Sequence, residues 1–130
     1  MAAGMDALPE NVFGVVADSG FTSPKDIMCR VIADMHLPPK LCWPFVRLGA
    51  LAFGHFDPEA ASSMEAVQHA KVPIFFSHGE ADDFVPCEIT RQLYEACVSE
   101  KTLALIPGAG HGLCYLVAPD TYVESLKNAF

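Results

Sequence analysis

One apolar segment followed by a polar loop constrains the fold of this chain more than any other feature. Ile74–Pro86 reads I-F-F-S-H-G-E-A-D-D-F-V-P, so a short apolar run ends at a Ser-His-Gly break and two adjacent carboxylates follow. Uninterrupted apolar runs of this length are typical of strands buried on both faces, in a parallel sheet beneath helices. Functional groups in open α/β sheets lie beyond the carboxyl ends of such strands, which makes the loop after this run a candidate site.

Similar apolar runs alternate with helical segments along most of the chain. The predicted strands are Val12–Ala17, which reads as buried, Lys71–Ser77 and Thr102–Ile106. The predicted helices include one that Ser23 caps, an amphipathic one over Cys87–Ser99 and a final one over about Pro119–Phe130. Alternation of strand and helix predicts an α/β layered fold with parallel strands flanked by helices.

The segment 36–57 interrupts this regular alternation. Pro38-Pro39 and Trp43-Pro44 punctuate it, among many apolar side chains. One interpretation is a further core helix over Phe45–Ala52, because apolar side chains at helical spacing usually serve packing. The other interpretation is a cap region that lines a substrate pocket beneath Trp43 and Phe45.

Length and charge limit the classes of partner. The 130 residues suffice for one domain with its own core. Eight basic residues against sixteen acidic ones give a net charge of -8, which repels phosphate backbones and anionic headgroups. No apolar stretch reaches the length of a membrane span, and no signal peptide begins the chain. We therefore expect a cytoplasmic protein that binds no nucleic acid and has no membrane span.

The cysteines predict reduced thiols rather than a disulfide framework. There are five, an odd number, and no two form a C-x-x-C pair. This usage is typical of buried thiols in a cytosolic protein. A zinc site built from His111, Cys114 and a remote partner is the alternative, supported by a single H-x-x-C. Because no phosphate-cradling glycine loop follows a strand, we predict no cofactor.

Two side chains stand where chemistry is expected. Asp82 follows the second predicted strand, and His111 follows the third between Gly110 and Gly112. If these strands are parallel neighbours, the aspartate can accept the Nδ1 proton of the imidazole and leave Nε2 free to move a proton. The alternatives are a histidine without a role in a glycine loop and a carboxylate at a helix start, which suits Asp83 better.

Three motifs resemble parts of the α/β-hydrolase superfamily. Val72–Pro86 resembles its acid-bearing segment H-G-x-x-D-x-x-V-P, Ile106–His111 (I-P-G-A-G-H) its histidine loop, and Val15–Ser23 the strand and loop before its cap. The resemblance implies a serine hydrolase, an esterase or peptidase, with a catalytic triad in which Asp82 is the acid and His111 the base. The substrate it implies is a small-molecule ester or amide, and the aromatic segment hints at an apolar acyl or aromatic group.

The nucleophile of that family has no counterpart here. No G-x-S-x-G occurs; Ser19 stands in A-D-S-G-F without the glycines, and Cys87 and Cys114 lack the elbow context. Met1–Gly4 resembles the end of the helix that follows the elbow. We therefore expect residues 1–130 to be the C-terminal portion of one α/β-hydrolase domain, with the serine outside this chain. The alternative is a non-catalytic ligand-binding or interaction protein that kept the fold.

Overall fold

Three parallel strands form the centre of the structure. The computed structural model describes residues 8–130, so the helix end expected at Met1–Gly4 lies outside the described residues. The strands are β1 (Val15–Asp18), β2 (Ile74–Gly79) and β3 (Lys101–Ile106), in the order β1-β2-β3. Ile74 of β2 is in register with Val15 on one side and Lys101 on the other. The predicted α/β fold with a parallel sheet flanked by helices is confirmed.

Helices pack on both faces of the sheet. They are α1 (Pro24–Asp34), α2 (Pro39–Gly49), α3 (Ser63–Gln68), α4 (Cys87–Ala96), α5 (Cys114–Val117) and α6 (Pro119–Ala129), and a π-helical turn (Ala50–Gly54) continues α2. Phe76 of β2 packs with Val67 of α3 and Leu93 of α4 on one face. Phe75 packs on the other face, against α5 and α6. Within residues 8–130, no helix combines the length and the apolar character that crossing a bilayer requires.

The central strand lies where the sequence predicts one, but it is shifted along the chain: it runs from Ile74 to Gly79 rather than from Lys71 to Ser77. All six residues of β2 are buried, as expected for a strand covered by helices on both faces. The strand continues past Ser77 to Gly79, so His78 belongs to the strand and is fully buried.

The prediction for the first strand was wrong about its start and its burial. β1 begins at Val15 rather than Val12, and its side chains alternate between buried and exposed positions. Val16 is 41% exposed and Phe13, before the strand, is 78% exposed. The reason is that β1 pairs only with β2 among the described residues, which leaves its other edge and part of one face uncovered.

The prediction of a core helix over Phe45–Ala52 was also wrong. The helix begins at Pro39, carries Pro44 in its interior and buries only Trp43. Phe45 is 71% exposed and Leu48 is 63% exposed, so the outer face of α2 is not part of the core.

Ion pairs attach α2 to the neighbouring segments. Arg47 contacts both carboxylate oxygens of Asp57, at 3.0 and 2.7 Å, and its Nη1 lies 2.6 Å from Glu59 Oε2. Glu59 also accepts hydrogen bonds from Lys25 of α1 at 2.7 Å and from the Trp43 indole at 3.0 Å. These two hydrogen bonds hold the pKa of Glu59 below its ordinary value. The exposed network orients α2 against α1 more than it stabilises the fold.

A glycine at the end of β2 allows the next loops to approach each other closely. A Cβ built at Gly79 would collide with the carbonyl group of Ala109, because it would lie only 2.6 Å from the carbonyl carbon. The backbone N–H of Ala81 donates to the Ala109 carbonyl at 3.0 Å, and that of Glu80 donates to the Ile106 carbonyl at 3.0 Å. The loop after β3 is thereby held directly against the loop after β2.

We expect Gly79→Ala to reduce the free energy of unfolding by about 2 kcal/mol, because rigid backbone rather than a flexible side chain opposes the added methyl group. Gly49→Ala is the matched control: Gly49 is helical, and no described atom outside its own helix lies within 4 Å of an added Cβ. That change should be neutral or stabilising by up to about 1 kcal/mol. Urea unfolding measures both, and equal values for the two variants would contradict the close approach.

Candidate functional site

The loop after β2 fixes the carboxylate of Asp82. Asp82 Oδ1 accepts hydrogen bonds from the backbone N–H of Phe84 at 3.0 Å and of Val85 at 2.8 Å. The residue is only 9% exposed. Neither Asp82 nor Asp83 caps the next helix, because the cap of α4 is Pro86 and no side chain bonds to its first turn. The alternative of a helix-start carboxylate is therefore wrong for both aspartates.

The second carboxylate oxygen of Asp82 contacts His111. Asp82 Oδ2 lies 2.8 Å from His111 Nδ1, across a sequence separation of 29 residues. Because a carboxylate only accepts, Nδ1 carries the proton and donates it, and Nε2 is left with a free lone pair. The His111 side chain is 42% exposed. The two residues that the sequence predicts to lie close together are in hydrogen-bond contact.

Opposing influences set the protonation of Asp82. Burial raises the pKa of its carboxyl, whereas the Val85 N–H, the His111 imidazole and the Phe84 N–H lower it, and the net result lies below the ordinary value. The carboxylate is therefore ionised at neutral pH, and it can face an imidazolium as well as a neutral imidazole.

The loop that carries His111 turns at two glycines. Gly108 has a φ of 74° and Gly112 a φ of 67°, both in the left-handed region that favours glycine. Of the two glycines that flank His111, only Gly112 has a positive φ, and Gly110 does not.

Ser19 holds the same loop from β1. Its Oγ accepts a hydrogen bond from the Gly112 N–H at 3.1 Å and donates one to Asp18 Oδ1 at 3.3 Å. Ser19 is 6% exposed and has a φ of 51°. Among the hydrogen bonds described for residues 8–130, none joins this hydroxyl to His111. Its contacts make Ser19 an anchor for the histidine loop.

His78 is the first residue of the H-G-x-x-D-x-x-V-P motif, but the sequence predicted no role for it, and it is a buried residue of the site. Its Nε2 lies 2.8 Å from the Val85 carbonyl oxygen and 3.0 Å from Asp82 Oδ2. Its Nδ1 lies 2.6 Å from Thr90 Oγ1 in α4. The available signal was its position: a polar side chain at the end of a fully buried strand must find hydrogen-bond partners nearby.

The structure gives Cys114 no role as a nucleophile. The residue is fully buried, and burial, followed by the nearby Asp18 carboxylate, raises the pKa of its thiol to about 12. A reactive thiol needs the opposite shift, because the thiolate is the nucleophile. For the zinc alternative, residues 8–130 contain no group of three or more His, Cys, Asp or Glu side chains placed to hold a metal ion.

An apolar cavity of about 440 Å³ is bordered by Phe84, which follows Asp82 in the loop after β2. Side chains from α1, α2 and the adjoining loops line it: Phe21, Ile27, Met28, Val31, Ile32, Val46 and Phe84. The Phe84 ring also packs edge-on against the His111 ring, with centroids 5.2 Å apart. Val46 is thus the residue that α2 contributes, whereas Trp43 and Phe45, expected from the sequence to cover a pocket, do not line this one.

Comparison with known proteins agrees with this fold. Residues 57–115 match the family model of the serine aminopeptidases, S33. The chain is 23% identical over 116 residues to YqkD of Bacillus subtilis, an uncharacterised protein, covering 86% of this chain and 37% of YqkD.

Two solved structures superpose on nearly the whole chain. The match to the α/β hydrolase MGS-MChE2, from a lagoon-sediment metagenome, has a TM-score of 0.60 at 19% identity. It covers 98% of this chain and 54% of MGS-MChE2. The match to the Pyrococcus furiosus esterase PF2001 has a TM-score of 0.57 at 20% identity. It covers 97% of this chain and 47% of the esterase. The chain therefore spans only about a third to a half of the length of these proteins. Its parallel sheet and its structural matches to α/β hydrolases show that the chain has a partial α/β-hydrolase fold.

Proposed function

We propose that this chain contributes the acid and the base of a Ser-Asp-His triad to a serine hydrolase that cleaves an ester or an amide bond. The observation that carries the proposal is the 2.8 Å contact between Asp82 Oδ2 and His111 Nδ1. It orients a partly exposed imidazole and leaves Nε2 without a proton, as a general base requires. The hydrolases and the esterase among the similar proteins support the reaction class.

The roles follow from proton transfer at His111 Nε2. This nitrogen takes the proton of the serine hydroxyl as its oxygen attacks the acyl carbon, and it then gives the proton to the departing alkoxide or amine. In the second half of the reaction it takes a proton from water, whose oxygen attacks the acyl-serine, and the serine oxygen recovers its proton on leaving. Asp82 keeps the imidazole in the required tautomer and stabilises the imidazolium that forms in each half.

The serine of this proposal lies outside the chain. Residues 1–130 would be the C-terminal portion of one α/β-hydrolase domain, with 36–57 as its cap region. The uncovered edge of β1, with Phe13 and Val16 exposed, supports this because a further strand of the same sheet would cover it. The greater length of the similar proteins supports it as well.

The apolar cavity bordered by Phe84 indicates the kind of substrate. Seven apolar side chains line it, so the acyl or alcohol part that occupies it would be aliphatic or aromatic rather than charged. The proposed substrate is therefore a small-molecule ester or amide with an apolar group. All five cysteines are free thiols, which supports a cytoplasmic location.

A non-catalytic ligand-binding protein is the second candidate. The observation in its favour is the pairing of an apolar cavity with a sequence that has no G-x-S-x-G. The gene sequence upstream of Met1 separates the two candidates, because an in-frame G-x-S-x-G favours the enzyme and its absence favours the binding protein.

If an extended chain carrying that motif exists, it should hydrolyse p-nitrophenyl esters, and His111→Gln should lower kcat by about 10⁴-fold or more. Asp82→Asn should lower kcat by about 10⁴-fold, because the imidazole loses its preferred tautomer. KM should change little in either variant. His69→Gln is the control, since His69 is exposed on α3 and contacts only the Glu65 carbonyl oxygen among its described hydrogen-bond partners. Full activity of His111→Gln would refute the role of His111 as base.

The 130-residue chain by itself should hold no reactive nucleophile. A fluorophosphonate probe should leave it unlabelled, and iodoacetamide at pH 8 should not modify Cys114 until the protein is unfolded, because its thiol is buried and protonated. Peptide mass spectrometry measures both, and the half-buried Cys42 and Cys87 are the internal comparison. Labelling of Ser19, or rapid native labelling of Cys114, would contradict the proposal that the nucleophile lies elsewhere.

A further inference from the structure

We infer that His78 is a positioning residue, which donates a hydrogen bond to Asp82 and thereby holds the carboxylate in line with His111. Its role in catalysis rests on the function proposed above, whereas the hydrogen bond and its effect on Asp82 do not. Three contacts of the His78 ring and four contacts of the Asp82 carboxylate carry the inference.

The surroundings of His78 determine which of its nitrogens carries the proton. Nε2 faces two groups that only accept, the Val85 carbonyl oxygen at 2.8 Å and Asp82 Oδ2 at 3.0 Å. A bare nitrogen there would repel both oxygens, so Nε2 is protonated and its N–H is shared between them. Nδ1 then accepts the hydroxyl proton of Thr90, at 2.6 Å. The neutral ring satisfies both nitrogens in a fully buried position, as buried polar groups require.

This tautomer completes the donors around one carboxylate. Asp82 Oδ1 accepts two backbone N–H groups from its own loop. Oδ2 accepts the N–H of His111 from the loop after β3 at 2.8 Å, and it lies 3.0 Å from Nε2 of His78 at the end of β2. The Asp82 side chain is completely buried, so water does not complete this set. Without His78, Oδ2 would keep His111 as its one side-chain donor, and nothing from β2 would fix its direction.

The positions of the two histidines separate their roles. His78 is fully buried, whereas the His111 side chain is 42% exposed. A buried ring held at both nitrogens cannot reach a substrate, so His78 acts only through Asp82. Thr90 belongs to α4 and is itself 1% exposed, which ties the orientation of the ring to the packing of α4 on β2.

The first test is the tautomer of His78 in the unmodified 130-residue chain. Long-range ¹H–¹⁵N correlation spectra distinguish protonated from bare imidazole nitrogens. At pH 7 we expect the His78 Nε2 signal to be that of a protonated nitrogen and the Nδ1 signal that of a bare one. The opposite tautomer would overturn the inference without any variant, since a bare Nε2 donates nothing to Asp82.

Two substitutions then measure what the donor does. His78→Leu removes it, and His78→Gln keeps an amide N–H near the place of Nε2–H. In His78→Leu the Asp82 carboxyl titration, followed by ¹³C NMR, should move upward, because the charged form loses a hydrogen bond. The His111 Nδ1–H signal should weaken or disappear. His78→Gln should restore both toward the unmodified protein.

Matched substitutions at an exposed histidine supply the control. His69→Leu and His69→Gln should leave the Asp82 titration and the His111 signals unchanged, since His69 is exposed and the hydrogen bond described for it goes to the Glu65 carbonyl oxygen. A folded His78→Leu with an unshifted Asp82 titration would overturn the inference. If His78→Leu does not fold, His78→Gln is compared with the unmodified chain. Because His78→Gln keeps a donor, a large change in both the Asp82 titration and the His111 Nδ1–H signal would contradict the inference. None of these readouts needs a nucleophile, so the inference can hold even if the proposed hydrolase activity fails.

Discussion

The site depends on one buried carboxylate that contacts three parts of the chain. Asp82 is held by its own loop, by His78 at the end of β2 and by His111 beyond β3. These parts meet because β2 and β3 are parallel neighbours, so that their carboxyl ends open at the same edge of the sheet. Gly79 lets the two loops approach to backbone contact. A buried charge is tolerated only when it has such partners. The contacts that hold these loops at the sheet edge are therefore the same contacts that stabilise the Asp82 carboxylate.

The sequence predicted the parts of the fold that depend on local pattern. The apolar run ending at Ser77 identified β2 because a strand covered on both faces has no polar side to interrupt it. Parallel pairing of β2 with β3 then predicted contact between Asp82 and His111, which the structure contains. The roles of Asp82 as acid and His111 as base came from the resemblance to α/β-hydrolases, and those roles remain a proposal.

The wrong predictions share one physical cause. The burial of a side chain depends on the elements packed around it, and a local sequence pattern does not contain them. Val16 is as apolar as the residues of β2, yet it is exposed because nothing described covers that side of β1. Phe45 has the spacing of a core residue and faces outward from α2. His78 was overlooked for the converse reason, since its partners Thr90 and Val85 come together only in the folded chain.

The oriented imidazole, the ionised carboxylate and the apolar cavity bordered by Phe84 support the proposal that this edge of the sheet is the proton-transfer half of an acyl-transfer site. The central claim is that Asp82 and His111 share a hydrogen bond, and a double-mutant cycle tests it most directly. Urea unfolding of Asp82→Asn, His111→Gln and the double variant at pH 7 should give a coupling free energy of about 1 kcal/mol, modest because the imidazole is partly exposed. Losses that simply add, with no coupling, would contradict the account.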